Sequence, residues 1–195
     1  SGAITTNTTW TSDKVWEIDG VITVKNGAKL TIQAGTFIKA KPLAPGVATG
    51  VLVITKTGQI DAQGTAESPI VFTSFNLLDD NANTVAAPGD FGGVVLLGDA
   101  EVNTGTTTNI VEGLDDQPNF AEFYYGGSNN AHNAGILSYV RIEFAGRILD
   151  TDVEIRHNLD FFLKHDAFSG FEEVGFPFTA LWGAKKGHNW PKKII

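Results

Sequence analysis

The strongest constraint in this chain is that it nearly repeats itself after thirty residues. Ile22-Thr23-Val24 leads into Gly27-Ala28-Lys29-Leu30-Thr31-Ile32 and closes at Gly35-Thr36, while Leu52-Val53-Ile54 leads into Gly58-Gln59-Ile60-Asp61-Ala62 and closes at Gly64-Thr65. Ile22 and Leu52, Val24 and Ile54, and Leu30 and Ile60 are each thirty positions apart, and the register slips by one only at the closing Gly-Thr. Short alternating strands at a fixed period, punctuated by glycine, point to a solenoid. One turn of such a structure cannot bury its apolar side alone and does so against the next turn.

Composition agrees. The chain has 195 residues, of which 42% are hydrophobic and only 18% charged, with 22 glycines. Thr and Asn are frequent, and this mixture favours strands and turns over helices. The expected fold is all-β: a short right-handed parallel β-helix of about four to six rungs stacked about 4.8 Å apart. Strands are expected at Val21–Val24, Lys29–Ile32, Thr36–Lys39, Val51–Ile54, Gln59–Ala62 and Ile70–Thr73. Phe91–Gly98 is so apolar that it reads as a strand buried on both faces. Ile136–Phe144 alternates as one further strand. Inward side chains are expected to include Val24, Leu30, Ile32, Ile54, Ile60, Val71, Val95, Leu97, Val140 and Ile142.

Residues 1–146 are thus expected to hold the rungs, with inserted loops at 75–90 and 99–131. Trp10 and the Thr-rich arm before it are assigned to an N-terminal cap, and Val15–Ile18 to the first strand. The composition changes after Gly146. All of the formal charge of −8 lies before that point, and the remainder is rich in Phe and Trp without a solenoid pattern. Residues 147–195 read as an irregular, aromatic-rich C-terminal capping segment and not as an independent domain.

Charge and cysteine usage exclude several function classes. An acidic chain does not supply the basic surface that nucleic acid requires. With no Cys, neither a disulfide nor a thiolate metal site can form. The chain has no Met and starts Ser1-Gly2, which reads as a cleavage scar or an expression remnant, and a signal peptide is expected to have been removed. No apolar run approaches the roughly 20 residues that span a bilayer as a helix.

The longer runs carry a resemblance. Gly27–Thr36, Gly64–Ser74, Gly89–Gly98 and Tyr139–Gly146 together resemble a family of secreted right-handed parallel β-helix proteins, common in Bacteroidetes-type bacteria and mostly of unknown function. Tyr125-Gly126-Gly127 and Asn133–Leu137 fit the same pattern, although that family usually has Trp where Phe91 stands. The likeness covers roughly residues 4–146. It implies a location outside the cell or on the outer surface of a bacterium, and it brings no catalytic residues.

Two groups of residues have the chemistry of a site. Phe120, Phe123, Tyr124 and Tyr125, beside Asn129, Asn130 and His132, combine flat rings that stack on sugar faces with amides that bond hydroxyls. The competing use of the same rings is to anchor the loop to the solenoid. Asp79, Asn81, Asn83 and Asp90 space oxygen donors as a calcium loop does, though Thr84 stands where an EF-hand has glycine. Calcium is the one cofactor these residues suggest, and a solvated turn is their plainer use. Glu101, Glu112, Asp115, Asp116 and Glu143 are the carboxylates that a glycosidase pair could draw on. Arg141 and Glu143, two apart in a strand, fit a structural ion pair better. His132, His157, His165 and His188 show no metal-ligand spacing. Thr5–Thr9 and Thr104–Thr108 are local tracts, not the rung-by-rung repeat of an ice-binding face.

The expected function is therefore a non-catalytic, adhesive or carbohydrate-binding β-helix with a glycan or cell-surface ligand, recognised through the 99–131 excursion. A self-assembling structural subunit and a polysaccharide-degrading enzyme are the alternatives.

Overall fold

The computed structural model describes residues 2–42, 50–77, 80–111, 113–114 and 118–146. The expected capping segment 147–195 lies outside these residues. Among the described residues four rungs follow one another. The first holds β1 (Gly2–Ile4), β2 (Thr8–Trp10) and β3 (Val15–Ile18), and the second β4 (Val21–Val24), β5 (Lys29–Ile32) and β6 (Phe37–Ala40). The third holds β7 (Val51–Ile54), β8 (Gln59–Gln63) and β9 (Ile70–Ser74). The fourth opens with β10 (Gly93–Leu96), leaves the solenoid through the excursion with its short β11 (Asn109–Ile110) and β12 (Tyr124–Tyr125), and returns as β13 (Gly135–Ser138) and β14 (Val140–Ile142).

Strands of successive rungs stack into three parallel four-stranded sheets: β1-β4-β7-β10, β2-β5-β8-β13 and β3-β6-β9-β14. This is a parallel β-helix. The thirty-residue repeat is its register: Ile22 pairs with Leu52, Val24 with Ile54 and Leu30 with Ile60. On the third face the offset grows to thirty-four, with Ile38 opposite Phe72. The turn at Gly64–Pro69 absorbs the added residues, and Gly35 donates its N–H to the Ser68 carbonyl across it.

One side chain of every alternate pair enters the solenoid. Ile18, Val24, Leu30, Ile32, Ile38, Leu52, Ile54, Ile60, Ile70, Phe72 and Phe91 form one continuous core, each no more than 2% exposed. Fully burying a side chain of this size contributes about 1.5–3 kcal/mol, so the stacked rows dominate stability. Three expected inward residues belong elsewhere. Val95 and Leu97 point outward from the first sheet into a second apolar cluster, and Val71 points outward between Ile70 and Phe72 although it is buried. The cause is parity. Val94 and Phe72 take the inward positions in their strands, and their neighbours must face the other way.

Three other expectations are corrected. The Thr-rich arm is not a separate cap, because β1 and β2 pair with the second rung as full strands. Trp10 stacks on Trp16 with ring centroids 5.4 Å apart, within that first rung. Ile136–Phe144 is two strands on two sheets, since Tyr139 adopts φ +48 and turns the chain between β13 and β14. The corner reverses parity, so Leu137 and Val140 both face inward, opposite Ala62 and Ile70. The strand expected at Thr36–Lys39 is Phe37–Ala40, because Thr36 closes the preceding turn with its hydroxyl on the Gln33 carbonyl at 2.6 Å.

Close stacking leaves no room at some corners. A Cβ on Gly58 would lie 2.1 Å from the Val24 carbonyl oxygen, which also accepts the Thr55 N–H and hydroxyl. Gly98 has open space around its missing Cβ. Gly58→Ala should therefore destabilise by more than about 2 kcal/mol in denaturant melts, and Gly98→Ala should stay within about 0.5 kcal/mol of the parent. Equal midpoints for the two variants would show that the corner yields.

Candidate binding site on the excursion

The first sheet is apolar on both faces. Outward from it, Val51, Val53, Val95 and Leu97 are 6% exposed or less, because Val111, Leu114 and Phe123 of the excursion pack over them, with Val21, Ile110 and Tyr125 at the margin. The excursion therefore has a structural task, which it discharges with part of the aromatic run. Asn119, at φ +66, starts a single 3-10 turn over Phe120–Phe123 that drops Phe123 into the cluster. Tyr124 and Tyr125 then extend against Ile110 and Asn109.

Two lysines clamp the excursion to the solenoid. Lys25 Nζ lies 2.6 Å from Glu122 Oε1. Lys56 Nζ lies 3.2 Å from Asp99 Oδ1 and donates to the Gly126 carbonyl at 2.9 Å. Partly exposed pairs of this kind contribute about 1 kcal/mol at most. Burial of Phe123 stabilises the excursion more than either pair does, and the lysines chiefly set where it lands. Sequence reasoning did not single out Lys25 and Lys56. Their signal was there: each follows the first strand of a rung, thirty-one positions apart, in a chain whose excursion is acidic.

The structure thus divides the sequence-predicted residues by role. Phe123 is 3% exposed and Tyr125 half-buried, so both anchor. Phe120 is 47% exposed and meets Tyr124 edge-on, with centroids 6.0 Å apart and planes at 74°. That is a favoured aromatic geometry, and it presents ring surface to solvent. Asn129 and Asn130 are exposed. The Asn129 side-chain oxygen accepts the Ala131 N–H at 3.1 Å, and that of Asn130 accepts the Glu101 N–H at 3.0 Å. Among the described residues neither Nδ2 group has a hydrogen-bond partner. His132 is half-buried and donates from Nε2 to the Lys56 carbonyl at 3.0 Å, so it acts as a strut at the second clamp.

Of the residues proposed for calcium, Asn81, Asn83 and Asp90 are among the described residues. Asp79 lies outside the described residues. Asn81 uses its side-chain oxygen on the Asn83 N–H at 3.0 Å, closing its own turn. Asp90 Oδ2 accepts the Ser74 hydroxyl, the Ala87 N–H at 3.0 Å and the Asn76 amide at 3.5 Å, which ties the 75–90 insertion to the third sheet. Among the described residues, no group of three or more His, Asp or Glu side chains is placed to hold a metal ion.

Of the carboxylates considered for glycoside cleavage, Glu101 and Glu143 are among the described residues. Glu143 faces outward on the third sheet, paired with Arg141 and reached by the Thr73 hydroxyl at 3.3 Å. Glu101 lies on the excursion. Glu112, Asp115 and Asp116 are outside the described residues. Among the described residues, no helix is long and apolar enough to cross a membrane.

A family model described as a pectate-lyase-like beta helix domain matches residues 2–162. No curated protein and no solved structure gives a match.

The division of roles is open to direct measurement. Phe123→Ala should cost about 3 kcal/mol or more in denaturant unfolding. Phe120→Ala should change stability by no more than about 0.5 kcal/mol. The reverse order would mean that Phe120, and not Phe123, is the anchor.

Proposed function

Since this chain belongs to the pectate-lyase-like β-helix domain family, we propose that it is a non-catalytic carbohydrate-binding domain of a secreted or cell-surface protein. The observation that carries this reading is the Phe120–Tyr124 pair, Phe120 exposed and Tyr124 half-buried, held on a clamped excursion while Phe123 and Tyr125 pack in the cluster beneath. Rings pinned by a rigid scaffold lose little entropy on binding, which is what weak sugar contacts need. The Nδ2 groups of Asn129 and Asn130 supply donors for hydroxyls further along the same segment.

A glycan array probed with the full chain, with and without calcium, tests this. Selective signal that falls at least about tenfold on Tyr124→Ala and survives Lys41→Ala, whose ion-pair partners are Glu17 and Asp19, supports the reading. A blank array under both conditions sinks it. Signal confined to the calcium condition would bring the 75–90 insertion into the binding site.

A second reading, self-assembly through the edge of the fourth rung, has one observation in its favour. Leu137 faces inward in register with Ala62 yet is 43% exposed, and Ile136 and Tyr139 beside it are 50% and 62% exposed. Under that reading the sedimentation coefficient of the full chain rises with concentration. A monomer across the whole accessible range removes it.

A further inference from the structure

The segment that carries the aromatic pair is acidic throughout. Residues 97–134 contain Asp99, Glu101, Glu112, Asp115, Asp116 and Glu122, and neither Lys nor Arg. Among the described residues the solenoid brings two cations to it, and the segment's own carboxylates occupy both. Glu122 takes Lys25 at 2.6 Å and Asp99 takes Lys56 at 3.2 Å, with a further proton of Lys56 on the Gly126 carbonyl. Lys25 and Lys56 are only 20% and 27% exposed in their side chains, so neither is presented to an incoming ligand.

Apart from Glu122, which Lys25 holds, the polar side chains near the rings among the described residues are uncharged. Asn109, the strand partner of Tyr125, gathers the hydroxyls of Thr104 and Thr106 on its Oδ1 at 2.7 and 3.1 Å. Asn129 and Asn130 follow on the other side of Gly126-Gly127. Hydroxyls and amides match sugar hydroxyls. A uronate carboxylate needs Arg, Lys or a bridging cation to repay its desolvation. Pectate is a polyuronate, with one carboxylate on every sugar.

We infer that the excursion takes a neutral polysaccharide, recognised by ring stacking and hydroxyl hydrogen bonds, and not the anionic class to which pectate belongs. This rests on the carbohydrate reading above, and the test separates the two.

The full chain is run in native gels cast with neutral polymers (xylan, galactomannan, mixed-linkage glucan) or with polygalacturonate. Each gel is run at low and at high salt, with calcium and with a chelator. The expected result is retardation by at least one neutral polymer that is unchanged by salt. It should weaken about tenfold or more in Tyr124→Ala and also in Phe120→Ala, the second variant guarding against misfolding of the first. Retardation by polygalacturonate equal to or stronger than that by every neutral polymer, in any of these conditions, overturns the neutral assignment and leaves the carbohydrate reading standing. No retardation by any polymer overturns both.

Discussion

Everything in this molecule depends on parallel strands stacked in register from rung to rung. A strand's backbone groups find partners only in the rungs above and below. Because side chains alternate with a period of two, a slip of one residue would turn the whole core outward. That is why Ile22, Leu52 and Val94 share one row and Leu30 and Ile60 another. It is also why extra residues are confined to corners, where they leave the rows undisturbed. The added turn at Gly64–Pro69 and the insertion at 75–90 both lie between strands.

The first sheet makes a second demand. Its outer positions Val51, Val53, Val95 and Leu97 are as apolar as its inner ones, and water cannot be left against them. The excursion meets that demand, with Phe123 as the plug and the Lys25–Glu122 and Lys56–Asp99 pairs setting its position. The candidate site follows from this arrangement. A segment fixed for structural reasons carries two further rings, Phe120 and Tyr124, which the cluster beneath does not absorb. The same clamps that fix the segment also neutralise Lys25 and Lys56.

Much of the fold was legible in the chain because a repeat is a local property of sequence. The spacing of Ile22 to Leu52 could be counted without knowing any contact, and it proved to be the strand register. What could not be counted was parity around a corner. Tyr139, at φ +48, splits what reads as one alternating strand, and no residue type announces it, since glycine usually takes such a conformation. The assignment of Val95 and Leu97 to the inner core failed for a related reason. An unbroken apolar run says that both faces are covered, but not which residues face which cover. Within the aromatic run the candidate residues were identifiable by type, yet their roles were not. Phe120 and Phe123 are the same residue three positions apart, one nearly half exposed and the other plugged into the second cluster.

The sequence by itself determined the architecture: period, glycine punctuation and alternation admit a stacked solenoid and little else. It also determined the sign of the excursion's charge, since six carboxylates without a Lys or Arg need no structure to be seen. Only the tertiary structure decided which rings anchor and which face solvent, that Asp90 ties down an insertion through Ser74 and Ala87, and that Lys25 and Lys56 meet Glu122 and Asp99. The physical reason is range. Stacking repeats at a fixed interval and leaves its mark along the chain, whereas these contacts join residues up to 97 positions apart, whose meeting depends on how the rungs bring them together.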